Sequence, residues 1–392
     1  TLMSSSSISP NDSGTISLLR LPLALGIIFI HLNLNVSGTD IRWASFSSID
    51  AYRLVACVVT NETANLAVPL FFIISGFLFF SGHNDTSRFK TNASFFKARF
   101  ARRLKSLLLP YVLFNLLAII GLLSLHVSQG HTLASAINTY FGGTKWLHAF
   151  WDIHTTGTST NILGVSKAIA YPVNTPLWFV RDLMVLVILS PVIYFAVKRL
   201  RWWWVVVMMV FSFTGIWVPM PGFGVTSCLF FSIGACFSIC HGNITSTLRP
   251  FTNWLLPLTL IVMVLDIITD HLGIDKYIHT LFLLLGTLSL FCLVSKWAVP
   301  SPHAKPMVNK LVVEWGGEAS FFIYAVHTLT LPFLNKKPVE LCLNFVWTNS
   351  TNGIVCIAQY IGSALLTFAM CYAVFALLKL VCPKALGFVL GR

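Results

Sequence analysis

Hydrophobic residues along this chain fall into long, nearly unbroken runs separated by polar or basic segments. The first run, Ser17–Val36, reads SLLRLPLALGIIFIHLNLNV and is long enough to cross a bilayer. Further runs cover about Ala64–Phe80, Leu107–Val127, Leu177–Ala196, Trp202–Pro219, Val225–Cys240, Trp254–Ile268, Tyr277–Trp297, Ala319–Leu334 and Gly353–Val381. The pattern predicts an all-α fold, a polytopic membrane protein with about ten transmembrane helices in one bundle. Trp and Tyr stand at many of the ends, where an interfacial belt needs them. Residues 1–15 read as a disordered polar lead-in, and residues 16–392 as a single transmembrane domain without a soluble repeat or linker. A polar stretch is expected from the first helix to about Asn61, and a basic loop or amphipathic surface helix over Ser81–Ser106. Ser128–Thr175 is too long for a plain connection and is expected to be functional or folded on the surface.

Composition agrees with the pattern. Of 392 residues, 56% are hydrophobic and only 10% charged, which excludes an ordinary soluble domain. A net charge of +13 would suggest nucleic acid in a soluble protein; here it follows the positive-inside rule, and no nucleic-acid partner is expected. With the N-terminus cytoplasmic, seventeen Lys and Arg fall in inner loops against eight outside, leaving Arg20 in the first helix. Both termini are therefore placed in the cytoplasm. The nine cysteines lie mostly in apolar runs without a CxxC pair, so neither a disulfide frame nor a metal knuckle is expected. Sequons at Asn61 and Asn349 stand without other signs of glycosylation. No small-residue cleavage site follows the first run, which is also too long for a signal peptide.

The chemistry begins in the first helix. Arg20 and His31 are eleven residues apart, which at about 100° per residue returns to one face, roughly 16 Å along the axis. Asn35 continues that stripe. Such groups are costly in lipid and should face a hydrated, protein-lined interior. A neutral imidazole there can act as a general base on a hydroxyl, although a buried histidine can also simply be satisfied by a neighbouring hydroxyl. Arg99, Arg102 and Arg103, with Lys97 and Lys105, crowd a helix entrance; arginine forks suit phosphate, and topology signalling with contact to anionic lipid accounts equally for the cluster. Ser75-Gly76-Phe77 reads as a site of close helix packing or of a kink, to which Pro69 one and a half turns earlier would add. Trp178 and Asp182 could line an outward-facing sugar site, and Arg181 with Asp182 could equally be a structural ion pair. Ser320, Tyr324 and His327 share one helix face, as a polar seam or a catalytic one. The outer histidines His126, His131, His148 and His154 lack metal-ligand spacing, and no metal is expected.

Taken together, the set resembles the acyltransferase 3 family of integral membrane O-acyltransferases, which includes surface-glycan O-acetylases. The matching elements are Arg20 and His31 in the first helix; Phe71, Phe72, Ser75, Gly76 and Phe77; the Arg99, Arg102, Arg103 entry ending in LLPY at Tyr111; LWFVRDL, Leu177–Leu183; and SFFIYAVH, Ser320–His327. They occur in order over nearly the whole chain. The resemblance implies transfer of an acyl group, usually acetyl from cytoplasmic acetyl-CoA, to a hydroxyl of a sugar or cell-surface glycan at or beyond the outer face of a bacterial cytoplasmic membrane. It implies catalytic roles for Arg20 and His31 and donor binding by Arg99, Arg102 and Arg103; Ser75 is added to the donor side as a hydrogen-bond donor aimed at developing negative charge. Ser128–Thr175 matches no family element and is expected to carry acceptor specificity. The rival readings are a transporter or flippase of a glycan or lipid-linked substrate, which predicts paired broken helices in matched halves, and a non-catalytic sensor or scaffold, in which Arg20 and His31 would be replaceable.

Overall fold

The computed structural model describes residues 8–32, 36–83, 91–161, 163–218, 220–272, 274–298, 315–331, 334–346 and 351–391. Asn35, Arg88, Lys90, Asn349 and the first seven residues of the lead-in lie outside them. In chain order the elements are α1 (Pro10–His31), α2 (Ser48–Ala56), α3 (Ala67–Phe80), α4 (Asn92–Arg103), α5 (Leu109–Ser128), α6 (Leu133–Phe141), α7 (Lys145–His148), β1 (His154–Thr160), β2 (Ser166–Tyr171), α8 (Trp178–Leu200), α9 (Trp202–Thr214), α10 (Val225–Cys236), α11 (Ile244–Leu248), α12 (Thr252–Thr269), α13 (Asp275–Ser295), α14 (Gly316–Val326), α15 (Pro338–Val346), α16 (Gly353–Val381) and α17 (Pro383–Val389). Among the described residues seven helical segments are long and apolar enough to cross a membrane: Pro10–His31, Ser48–Phe80, Asn92–Ser128, Thr175–Leu200, Ile244–Thr269, Lys276–Ser295 and Gly353–Val381. Trp202–Thr214 and Val225–His241 are apolar but shorter. The chain is an all-α polytopic membrane protein, with one small hairpin added.

The boundaries differ from the sequence reading where polar residues turn out to be helical. α1 starts at Pro10, not Ser17, because the Ser9 hydroxyl accepts from Asp12 N (3.0 Å) and proline takes the first helical position. Asp12 is itself fully buried, accepting from Ile244 N and Thr245 N at 3.2 and 3.0 Å. The expected polar stretch up to Asn61 is instead α2 and a π-helical segment, Cys57–Thr63, which run on toward α3. Asn61 lies in that segment, its amide donating to Val36 O at 2.7 Å.

The basic segment forms α4, an amphipathic helix capped by Thr91 and continued into α5 through a π-helical turn at Leu104–Leu108. Its apolar side buries Phe95 and Phe96 against Phe79 and Tyr194. The run expected over Ala319–Leu334 is the shorter α14. Ser128–Thr175 folds into α6, α7 and an antiparallel hairpin paired from His154↔Tyr171 to Thr160↔Ser166.

At the centre α3 and α10 pack backbone to backbone. A Cβ on Gly76 would stand 2.2 Å from Phe231 O, and one on Gly234 2.0 Å from Ile73 O. Ser75-Gly76-Phe77 is thus a site of close helix approach, as the sequence suggested.

Candidate active site

α1 carries Arg20 on its middle turns and His31 at its C-terminal end, both partly buried. They open onto different spaces. Arg20 lines a cavity of about 280 Å³ together with Ser75, Arg103, Glu318, Ser320 and Leu390. His31 lines a larger cavity of about 1350 Å³, with Asn65, Tyr171, Asn174, Trp178, Thr328 and Lys337. Tyr324 and Phe179 border both cavities and so form the wall between them. Tyr324 is buried, and its hydroxyl donates to Pro176 O, which ties α14 to the start of α8.

In the smaller cavity the guanidinium of Arg20 lies against Gly317, where a Cβ would approach Nη1 to 2.5 Å. Lys379 donates to Glu318 Oε2 at 2.5 Å, so a lysine from α16 neutralises the acid nearest this arginine along α14. The Ser320 hydroxyl turns back to Gly317 O (3.2 Å). Arg103 faces the cavity; Arg102 is exposed on α4 and is not among its lining residues. Arg99 points elsewhere: it donates to Ser81 O and sits over Phe95, 5.3 Å from the ring centroid. The arginine cluster expected to act as one group is therefore divided among three surroundings.

His31 meets His327, with ring centroids 4.9 Å apart and planes at 58°. His327 Nδ1 lies 2.9 Å from Tyr324 O and 3.2 Å from Ile323 O. A carbonyl can only accept, so Nδ1 carries the proton, and in the neutral ring Nε2 is left as an acceptor. That Nε2 is buried and has no hydrogen-bond partner among the described residues. The shared face of Ser320, Tyr324 and His327 thus runs from the smaller cavity, along the wall, to His31.

Trp178 lines the larger cavity, but Arg181 and Asp182 do not. Both are buried and bonded to each other at 3.0 Å. Arg181 also donates to Trp151 O (2.6 Å) and Ala170 O (3.0 Å), while Asp182 accepts from Ser227 (2.9 Å). These bonds fasten the hairpin and α10 to α8. Of the outer histidines, His154 reaches the larger cavity.

One polar junction went unread in the sequence. Asn174 N donates to Asn115 Oδ1 (3.1 Å) and its side chain to Ala325 O (3.0 Å), holding the cavity edge against α5 and α14. The available signal was Asn115 alone in an apolar run.

These features define a helical integral membrane protein in which one helix serves two cavities separated by a thin aromatic wall. The family model described as an acyltransferase domain matches residues 14–377, and the chain belongs to this acyltransferase 3 family. The succinoglycan biosynthesis protein ExoH of Rhizobium meliloti (strain 1021) is similar, at 27% identity over 193 residues, 48% of this chain and 44% of that protein. The chain thus spans less than half of that relative's length. No solved structure matches.

Proposed function

We propose that the protein is a membrane O-acyltransferase that moves an acyl group, acetyl in the simplest case, from cytoplasmic acyl-CoA to a hydroxyl of a sugar or cell-surface glycan. It would sit in a bacterial cytoplasmic membrane with about ten spans and both termini inside. The observation that carries this reading is the division of α1: Arg20 lines one cavity and His31 the other, with Tyr324 and Phe179 between them. A donor and an acceptor entering from opposite sides need such an arrangement. The relative's name in succinoglycan biosynthesis supports a glycan acceptor.

In this scheme Arg102 and Arg103 bind the phosphates of the donor, and Arg99 acts indirectly by holding α4 in place. The thioester passes along Arg20 and Ser75 toward the wall. His31 accepts the proton of the acceptor hydroxyl as its oxygen attacks the thioester carbonyl carbon. The C–S bond breaks, the new ester leaves with the glycan, and the proton passes from His31 to the coenzyme A thiolate. Arg20 and Ser75 guide the donor on its own side of the Tyr324–Phe179 wall, and the acyl carbon must pass that wall to meet the hydroxyl at His31, which lies roughly 16 Å along α1 from Arg20. Trp178 gives a sugar ring an aromatic face beside His31.

The test uses purified protein, radiolabelled acetyl-CoA and a glycan acceptor. His31→Ala should lower transfer by roughly 10²–10⁴-fold, the range of a lost general base, and Arg20→Ala should also impair it. Transfer by His31→Ala at near wild-type rate would overturn the assignment.

A further inference from the structure

Glu62, Asp266 and His279 lie on three separate elements: the π-helical Cys57–Thr63 segment, α12 and α13. Each offers a ligand atom, and these atoms all lie within 4.8 Å of one another. Glu62 and Asp266 are 3% and 5% exposed. His279 is half-buried, with Nδ1 2.7 Å from Asp266 Oδ2, and it lines the larger cavity.

Two carboxylates this close in a buried, largely apolar setting cannot both remain charged without a counter-charge. Among the described residues neither has a lysine or arginine ion-pair partner. The neighbouring Asp270 is turned to another task, accepting from Gly38 N at 2.8 Å. A second observation concerns hydrogen bonding: Glu62 Oε2 is fully buried with no hydrogen-bond partner among the described residues. The glutamate also sits on a π-helical turn, a local departure from the α-helix that tends to occur at functional sites.

We propose that Glu62, Asp266 and His279 bind one divalent transition-metal cation in the wall of the larger cavity. Two carboxylate oxygens and an imidazole nitrogen form a donor set that suits zinc or manganese. The ion supplies the missing positive charge, occupies Glu62 Oε2 and joins the π-helical segment to α12 and α13. Three protein ligands leave a coordination position open. Because His279 borders the cavity, that position is accessible to an oxygen of whatever fills it. A proton shared between the two carboxylates, with His279 donating to Asp266 Oδ2 at 2.7 Å, is the competing account, and the test below separates the two.

The site stands apart from the acyl-transfer scheme, and so does its test. Full-length protein in detergent is stripped with EDTA, dialysed, and titrated separately with Zn²⁺, Mn²⁺ and Co²⁺. Metal content is read by mass spectrometry, affinity by calorimetry, and the Co²⁺ form by its d–d absorption. About one equivalent per chain is expected, with affinity at least about tenfold weaker in Glu62→Gln and in His279→Gln. His279→Gln alters a cavity-facing side chain, so it keeps the test open if Glu62→Gln does not fold. Failure to retain metal, or equal binding by wild type and His279→Gln, overturns the proposal. So does an Glu62→Gln protein as stable as metal-treated wild type, which would point to the shared proton.

Discussion

His31 and His327 show how much a single side chain can depend on its neighbour. His327 spends its only neutral-state proton on the carbonyls of Tyr324 and Ile323, so its buried Nε2 can only accept. The ring beside it is that of His31. A small rotation would let His31 donate one N–H to His327, leaving its other nitrogen bare toward the larger cavity. His327 would then be a positioning residue that fixes the tautomer of the base. His327→Ala is expected to lower kcat by roughly 10–100-fold, as loss of an orienting partner does elsewhere, with the KM for both substrates little changed. Steady-state kinetics with each substrate varied in turn will check this, and an unchanged kcat would remove the pairing from the mechanism. Only the parts within one helix were legible in the sequence, where Arg20 and His31, or Tyr324 and His327, are related by helix geometry alone; that His31 meets His327 was not. The Asn174–Asn115 junction and the Glu62–Asp266–His279 group were not, since their members meet only after distant segments have packed. Glu62 was further hidden inside a sequon that read as loop. Arg181 and Asp182 were visible but open in meaning until Trp151, Ala170 and Ser227 were seen to hold them.

At the level of elements, helix content was written in apolar runs, while helix ends were obscured wherever caps or π-helical turns carried polar residues into the rod. The Ser9 cap and the Cys57–Thr63 segment are two such places. The hairpin escaped because β1 is exposed along its whole length, leaving no alternation of buried and exposed positions to read. Two predictions belong to element contacts. Gly317 lets α14 pass close to the end of Arg20 on α1, and a Cβ there would meet Nη1 at 2.5 Å. The obstacle is the tip of a flexible side chain, so Gly317→Ala should change stability by no more than roughly 0.5 kcal/mol. It should nevertheless move the guanidinium and raise the donor KM, with the acceptor KM unaffected; thermal melts and kinetics together separate these effects.

The second concerns His83, which follows α3 and packs edge-on to Tyr194 of α8. Burial lowers its pKa, the Phe80 carbonyl raises it in part, and Lys198 lowers it further. Its folded pKa thus lies below the unfolded imidazole value of about 6.5. Between those two values the unfolded chain binds more protons, so stability rises with pH there and is lost as pH falls through about 6.5. Melting at pH 7.5 and 5.5 should show the loss, and His83→Gln should reduce it. An unaltered pH dependence in that variant would assign the effect to other groups.

For the whole molecule the decisive property is sidedness. Four of the described helices reach both cavities. α1 and α14 run from the smaller to the larger, from Arg20 to His31 and from Gly317 through Tyr324 toward Thr328, while α3 and α8 run from the larger to the smaller, from Pro69 to Ser75 and from Trp178 to Leu183. Positive charge gathers at the Arg20 end, with Arg102, Arg103 and Lys105 around the end of α4, Lys198 and Arg199 ending α8, and Lys379 near the end of α16. On the proposed topology the positive-inside rule puts that end in the cytoplasm, on the side of the proposed coenzyme A donor, and the exposed hairpin outside. Cys382 provides a native probe, being exposed just beyond α16. An impermeant maleimide applied to intact spheroplasts should leave Cys382 unlabelled until the membrane is permeabilised. It should label Ser159→Cys, on exposed β1, before and after permeabilisation alike. Labelling of Cys382 from outside would reverse the molecule and exchange the cavities assigned to donor and acceptor. The role of His31 would then have to be argued again from a donor on its own side of the Tyr324–Phe179 wall.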